Sequence, residues 1–371
     1  NPGKRVIIMK NDDILTSISG EKADTRELWE KFRRPEILSL FREFVYGRRP
    51  VERPDNMVFE ISDKTENYNG LQASYEKLTV KIGDFSFCVH CYLPENKENI
   101  SAFVYVMHEY QEDNSDFANM ANNKFVPVGE ITGRGYAVFI MPTSGIYPDW
   151  EHNDNYRSGV FSAFGPAADK RTGSDWATIA AWSWGASRVM DYIETDDRIN
   201  RESVAVIGHS RGGKTAFWCA ANDERFSLAI SNASGCMGAA YLKGKTGEHI
   251  KDINCTDWFC ENFRSFNDNE EMLPVDQHML LAAIAPRLAY VESCDEDDWS
   301  DPAAERLSCR KASEVYEKIY GIPGVCLPDE PIAANEPYHD GNIGYHMKQG
   351  SHSISAYDWE LYMDFRDKKK R

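Results

Sequence analysis

Ser210 lies between Gly208 and Gly212 in the run Gly208-His-Ser-Arg-Gly-Gly-Lys-Thr-Ala216, a spacing that suits a serine nucleophile. The flanking glycines let a strand turn sharply into a helix and hold the hydroxyl clear of the backbone. As five residues alone the pattern also fits an ordinary turn; the apolar run before it and the helix-compatible run after it favour the nucleophile. A serine hydroxyl is weakly nucleophilic at neutral pH, so it needs an imidazole base and a carboxylate to orient that base. The backbone N–H of Arg211 stands where an oxyanion donor is required, and its guanidinium offers a charged one. Its alternative role is pairing with loop carboxylates. Lys214, at i+4 from Ser210, shares its helix face and is read as the floor of a cleft rather than as a plain surface lysine.

Those groups need a scaffold. Residues 57–61, 78–82 and 85–93 alternate like strands, which suggests an antiparallel edge, whereas 102–107 and 136–141 are apolar throughout, as in strands buried on both faces. A short helix is read within 114–128. Residues 149–172 form a loop long enough to wall a cleft. A helix follows over 175–194, capped by Ser174 or Asp175. After the serine come a strand at 228–231, loop from 232 to 274, a helix at 276–285, a strand at 287–292, a helix at 305–320, loop at 321–342 and a last helix at 358–365. Strands alternating with helices point to a mostly parallel central sheet sandwiched by helices, a three-layer αβα arrangement of the α/β-hydrolase type. The whole chain, 1–371, reads as one catalytic domain, with 1–55 as a lead-in packed on it and 366–371 as a frayed tail.

In that fold the acid and then the histidine follow the serine. His352, flanked by Gly350, Ser351 and Ser353 and placed just before the last helix, is the leading base. His346 is the second choice, His339 also lies in loop-like text, and His278 sits within an apolar helix as a core or capping residue. The strand at 287–292 runs into Asp295, Glu296, Asp297, Asp298 and Asp301, so one of these is expected to be the acid and the others solvated.

With 371 residues, 42% hydrophobic and 12% aromatic, the chain can bury a large core. A net charge of −17 argues against nucleic acid and anionic membranes as partners. No apolar run reaches membrane-spanning length, and Asn1-Pro-Gly-Lys is not a secretory signal. The nine cysteines show no regular metal spacing; Cys88 and Cys91 fall in an alternating strand, where positions three apart face opposite sides. No metal and no cofactor is expected, one or two disulfides are compatible with the count, and a monomer is expected.

The chain resembles the glucuronoyl esterases, carbohydrate esterase family 15, in particular the bacterial branch. The residues that carry this run in order: Trp29-Glu-Lys-Phe-Arg-Arg-Pro-Glu-Ile37, Ala180-Ala-Trp-Ser-Trp-Gly185, the Ser210 run, Ser234-Gly-Cys-Met-Gly238, Leu273-Pro-Val-Asp-Gln-His278 and Trp299-Ser-Asp-Pro302. The resemblance implies hydrolysis of the ester between the (4-O-methyl-)glucuronate of glucuronoxylan and lignin alcohols, by a secreted or periplasmic enzyme. It gives Ser210 as nucleophile, His352 as base, Arg211 as oxyanion stabiliser, and Lys214, Glu248 and Trp299 as ligands of the uronate. Many members carry the triad glutamate where this chain has Ala233, so the acid is expected from the loop after Glu292, with Asp297 first and Asp301 second. Met107-His-Glu-Tyr110 also departs from the Gly- and Asn-containing turn expected there, which leaves the second oxyanion donor open. Two rival readings remain: a xylan deacetylase or broad carboxylesterase, and a carbohydrate-binding pseudo-hydrolase that lost its acid.

Overall fold

The computed structural model describes residues 13–149, 154–254, 257–329 and 331–370. Ten strands form one sheet: β1 Met57–Thr65, β2 Ala73–Ile82, β3 Phe85–Pro94, β4 Ile100–Met107, β5 Ala137–Pro142, β6 Ile199–His209, β7 Leu228–Asn232, β8 Leu288–Cys294, β9 Pro337–Tyr338 and β10 Ile343–Lys348. Their spatial order is β1-β2-β3-β5-β4-β6-β7-β8-β10-β9. From β5 to β10 every pairing is parallel, while β1, β2 and β3 pair antiparallel at one edge and β9 at the other. This is the α/β-hydrolase arrangement anticipated above.

Strand β4 shows why the middle reads as unbroken apolar sequence. Ala102, Val104 and Val106 join the core beneath the helices Thr178–Ile193 and Arg211–Asn222. Phe103, Tyr105 and Met107 join the opposite core, against Trp359, Tyr362 and Phe365 of the helix Ala356–Lys369. With a period of two and both faces covered, every position must be apolar.

Four expectations need correction. The stretch 114–128 is not helical; the short helices are Glu109–Asp113 and Val128–Gly133. Between them Asp116 accepts from Ala118 N–H and Asn123 from Phe125 and Val126 N–H, turns that compete with a helix ladder. The helix placed at 175–194 starts at Thr178 without a side-chain cap, because Trp176 and Ala177 N–H donate to Arg48 and Tyr46 carbonyls of the lead-in. The frayed tail is helical to Lys369: Arg366 is buried and its guanidinium donates to Ala102 O and Ser203 Oγ. Finally, residues 343–348 form strand β10 although Gly344 and polar His346 and Lys348 interrupt any apolar run there. A Cβ on Gly344 would lie 2.4 Å from the Tyr290 ring, so glycine is what lets the strand pack there. The loop at 149–172 carries one helical turn and a half, Gly159–Phe164; residues 150–153 fall outside the described residues.

Candidate active site

Strand β6 ends at His209 and the helix begins at Arg211, so Ser210 alone makes the turn, at φ 54° and ψ −123°. That positive-φ conformation, outside the left-handed helical region, is strained for a non-glycine residue. It is held by Ser210 N–H donating to Asn232 O (2.8 Å) and by Gly213 N–H donating to Ser210 O (2.9 Å). The two glycines are steric requirements: a Cβ on Gly208 would lie 2.2 Å from the Gly212 backbone, and one on Gly212 2.8 Å from Val106 O.

His352 lies between β10 and the helix Ala356–Lys369, where the sequence put it. Its Nδ1 is 2.6 Å from Asp297 Oδ2, which fixes the ring and leaves Nε2 to handle a proton. Burial raises the proton affinity of Asp297, but hydrogen bonds from His352 and Ser300 outweigh it and hold the carboxyl below its ordinary range. His352 and Ser210 line one cavity of about 600 Å³. The Asp301 carboxylate is engaged elsewhere: it caps the helix Pro302–Lys318, accepting from Ala304 N–H, and also accepts from Thr246 N–H at 2.7 Å. His346, the second choice as base, is buried in β10 with Nε2 2.9 Å from Asp358 and Nδ1 3.0 Å from Tyr290 OH. His339 shares that tyrosine, and His278 stacks edge-on to Tyr241 in the core.

Lys214 is buried, not a surface lysine. Its ammonium donates to Ser234 O and Cys236 O and reaches Glu248 Oε2 at 3.2 Å. The other oxygen of Glu248 accepts from Trp299 Nε1 at 3.0 Å, and Trp299 is 57% exposed. The three expected sugar ligands thus form one hydrogen-bonded chain on the elbow helix and two loops. Arg211 also behaves as its alternative proposed: the guanidinium pairs with Asp149 at 2.6 Å and stacks 4.7 Å over Trp258, which itself donates to Asp149. That clamp holds the side chain beside the elbow while its N–H stays at the helix N-terminus.

Three groups escaped the sequence reading. His209 Nδ1–H donates to Asn232 Oδ1 (2.6 Å), and the ring packs 4.5 Å from that of His352; burial drives its pKa down to about 3, so it is neutral. His108 lines the cavity from the end of β4, buried and held neutral for the same reason. Glu305 is wholly buried behind Ala233, accepting from Ser234 and Gly235 N–H and Ser293 Oγ; burial pushes its pKa up to about 7. Only Glu305 left a trace in the sequence: it falls in the stripe 304, 305, 308, 309, 312 of its helix, all buried. The described cysteines, eight in number, are free thiols, so none of the disulfides allowed by the count forms among them; Cys255 is outside the described residues. Glu292, His346 and Asp358 converge closely enough to hold a cation, but the Lys348 ammonium already sits 2.7 Å from Asp358 and 3.7 Å from Glu292.

The carbohydrate esterase MZ0003, from an unknown prokaryotic organism, is 34% identical to this chain over 96% of it and 88% of its own length. This chain belongs to carbohydrate esterase family 15. The profile described as "Glucuronyl esterase, fungi" matches residues 170–320. The solved glucuronoyl esterase of Solibacter usitatus superposes with a TM-score of 0.88 at 31% identity, covering 98% of each chain. A promiscuous family 15 esterase from a marine bacterial metagenome superposes with a TM-score of 0.83 at 30% identity, over 97% of this chain and 96% of that one. As a family 15 member the protein is a carboxylic ester hydrolase, and the elbow, the imidazole and the carboxylate described above are the groups such chemistry uses.

Proposed function

We propose that this family 15 esterase cleaves the ester joining (4-O-methyl-)glucuronate of glucuronoxylan to a lignin alcohol, through an acyl-enzyme on Ser210. His352 takes the serine proton, Asp297 orients His352, and the Arg211 N–H with its clamped guanidinium stabilises the tetrahedral oxyanion. His352 then protonates the departing alcohol, and water enters to release glucuronate. Lys214, Glu248 and Trp299 bind the uronate: an ammonium, a carboxylate and an indole linked in series match the alternating donors and acceptors of sugar hydroxyls. That chain beside the elbow is the observation that carries the proposal, together with the activity named for the Solibacter usitatus relative. No metal enters the scheme, and the enzyme is read as a secreted or periplasmic monomer; among the described residues no helix is long and apolar enough to cross a membrane.

The test is hydrolysis of benzyl glucuronate beside 4-nitrophenyl acetate. Strong turnover of the uronate ester, reduced at least about 10⁴-fold in Ser210→Ala, is expected. Turnover of the acetate alone would instead make the protein a deacetylase or broad carboxylesterase. No turnover of either would favour the pseudo-hydrolase, against which the contact between Asp297 and His352 already speaks.

A further inference from the structure

His352 sits on a surface loop, yet its imidazole has to be aimed. Its side chain is 39% exposed, and Gln349 and Ser351 are exposed beside it. Asp297 fixes one ring nitrogen. The start of the loop is tied to the acid loop: Glu296 N–H donates to Gly350 O at 3.1 Å, and Gly350 N–H donates to Asp295 at 2.7 Å. Past the histidine, Ile354 enters the core, and Ser355 opens the helix Ala356–Lys369 through a capping box with Asp358. Between these anchors lies the Ser353 carbonyl, one residue from the base. Lys348 Nζ donates to it at 2.7 Å; the Cys294 thiol, 3.9 Å from the same oxygen, is a much weaker donor. Lys348 is the last residue of β10, where the loop departs. Its side chain therefore folds back five residues along its own chain and staples the loop shut.

Stability alone does not ask for a lysine there. Lys348 is buried, and its ammonium also donates to Asp358 Oδ2 at 2.7 Å and lies 3.7 Å from Glu292. Burial disfavours the charged form, but Glu292 and Asp358 outweigh it and hold the ammonium's pKa above its ordinary value. Burial, with the Asp358 charge beside it, pushes Glu292 well above the usual carboxylate range, so Glu292 is neutral and one cation faces one anion. Apolar side chains of similar volume are often as stabilising as such a buried pair, or more so. What they cannot supply is a charge-assisted hydrogen bond to the Ser353 carbonyl. We infer that Lys348 is a positioning residue for the base: by holding the Ser353 carbonyl it sets the backbone beside His352, so that Nε2 meets the Ser210 hydroxyl while Nδ1 stays on Asp297. Asp358 supplies the counter-charge and ties the same loop two residues later, accepting from Ser355 N–H at 2.7 Å.

This inference rests on the roles proposed for Ser210 and His352 but not on the uronate substrate, and the experiment separates the two. An alkyl fluorophosphonate reads the machinery directly: Ser210 Oγ displaces fluoride from phosphorus, His352 takes the proton, and mass spectrometry follows both the rate and the fraction labelled. In Lys348→Met the rate should fall about 10²-fold, the loss expected of a misplacement near 1 Å, while Lys348→Arg, which keeps a charged donor, should stay within about tenfold of the native rate. With benzyl glucuronate, kcat should fall in step and KM should move less than about twofold, because Lys214, Glu248 and Trp299 stand on other elements. A purely structural lysine would lower the melting temperature and the fraction labelled, not the rate of the folded fraction. Because Lys348→Met leaves Asp358 buried and unpaired, the double variant Lys348→Met with Asp358→Asn, which removes both charges, is measured beside it and should be slowed as much. Labelling of either methionine variant at the native rate, or equal slowing in Lys348→Arg and Lys348→Met, overturns the positioning role and leaves the ester chemistry standing. If the native protein is not labelled at Ser210, the serine and histidine assignment has failed and the inference falls with it.

Discussion

Asp297 and Asp301 are four residues apart in one acidic loop, and their surroundings assign them different work. Asp297 holds His352; Asp301 accepts from Ala304 N–H at the head of a helix and from Thr246 and Gly247 N–H of a neighbouring loop. Asp297→Asn keeps the shape but offers Nδ1 an amide that can favour the wrong tautomer, so kcat should fall about 10³- to 10⁴-fold with the melting temperature little changed. Asp301→Asn should do the reverse, retaining most of kcat and costing roughly 1–2 kcal/mol in a denaturant titration, because its amide nitrogen cannot accept from Thr246 and Gly247 N–H. Equal loss of activity in the two variants would sink the assignment. Glu305 is a different kind of carboxyl. Buried, it keeps its proton up to about pH 7, whereas in the unfolded chain it releases it near 4.5. Between those values the native state binds more protons, so this group makes stability fall as pH rises, by roughly 3 kcal/mol across the window. Glu305→Gln, whose amide can still accept from Ser234 and Gly235 N–H, should therefore gain on the native protein between pH 5 and pH 8. A constant difference over that range would show that the carboxyl is ionised throughout.

At the scale of elements, the elbow is the least tolerant piece. Gly208→Ala would drive a methyl carbon into the Gly212 backbone, with no side chain able to yield, so strand and helix must separate. The expected result is a loss of several kcal/mol, seen as insolubility or a melting point many degrees lower, together with loss of esterase activity. The elbow was also the most legible element, because its steric demands can be met by few residue types and those types appear in the sequence. The central strands were legible for a similar reason, since burial on both faces leaves a solid apolar run. What could not be read was structure whose polar groups are satisfied at a distance. β10 looked like loop because nothing local reveals that His346 will meet Asp358 or Lys348 the carbonyl of Ser353. Likewise His108 and His209 give no periodic signal; their place beside Ser210 follows from strands β4 and β6 being neighbours. The uronate-side residues were named through resemblance, and only coordinates link Lys214 to Trp299 through Glu248.

For the molecule as a whole, nine cysteines suggested covalent bracing that the described residues do not have. Burial pushes the thiols of Cys219, Cys236 and Cys260 up to about 12, which keeps them protonated and inert at physiological pH. Adding a reductant should leave the melting temperature unchanged within about 1 °C, and brief alkylation read by mass spectrometry should label Cys326, the exposed thiol, well ahead of the buried ones. A marked fall in melting temperature on reduction would mean that pairing through Cys255 braces the fold. The order of the sheet has a further consequence. The groups around Ser210 come from the ends of β4, β6, β8 and β10, which lie with β7 in one parallel run of the sheet, in the order β4-β6-β7-β8-β10, but are drawn from residues 100 to 348 of the chain. No contiguous fragment short of most of the sequence can assemble them, and parallel pairing between distant segments is a slow step in reaching the native state. Recovery of esterase activity after dilution from denaturant should thus trail the return of helical signal, making turnover a clock for the last closure of the sheet.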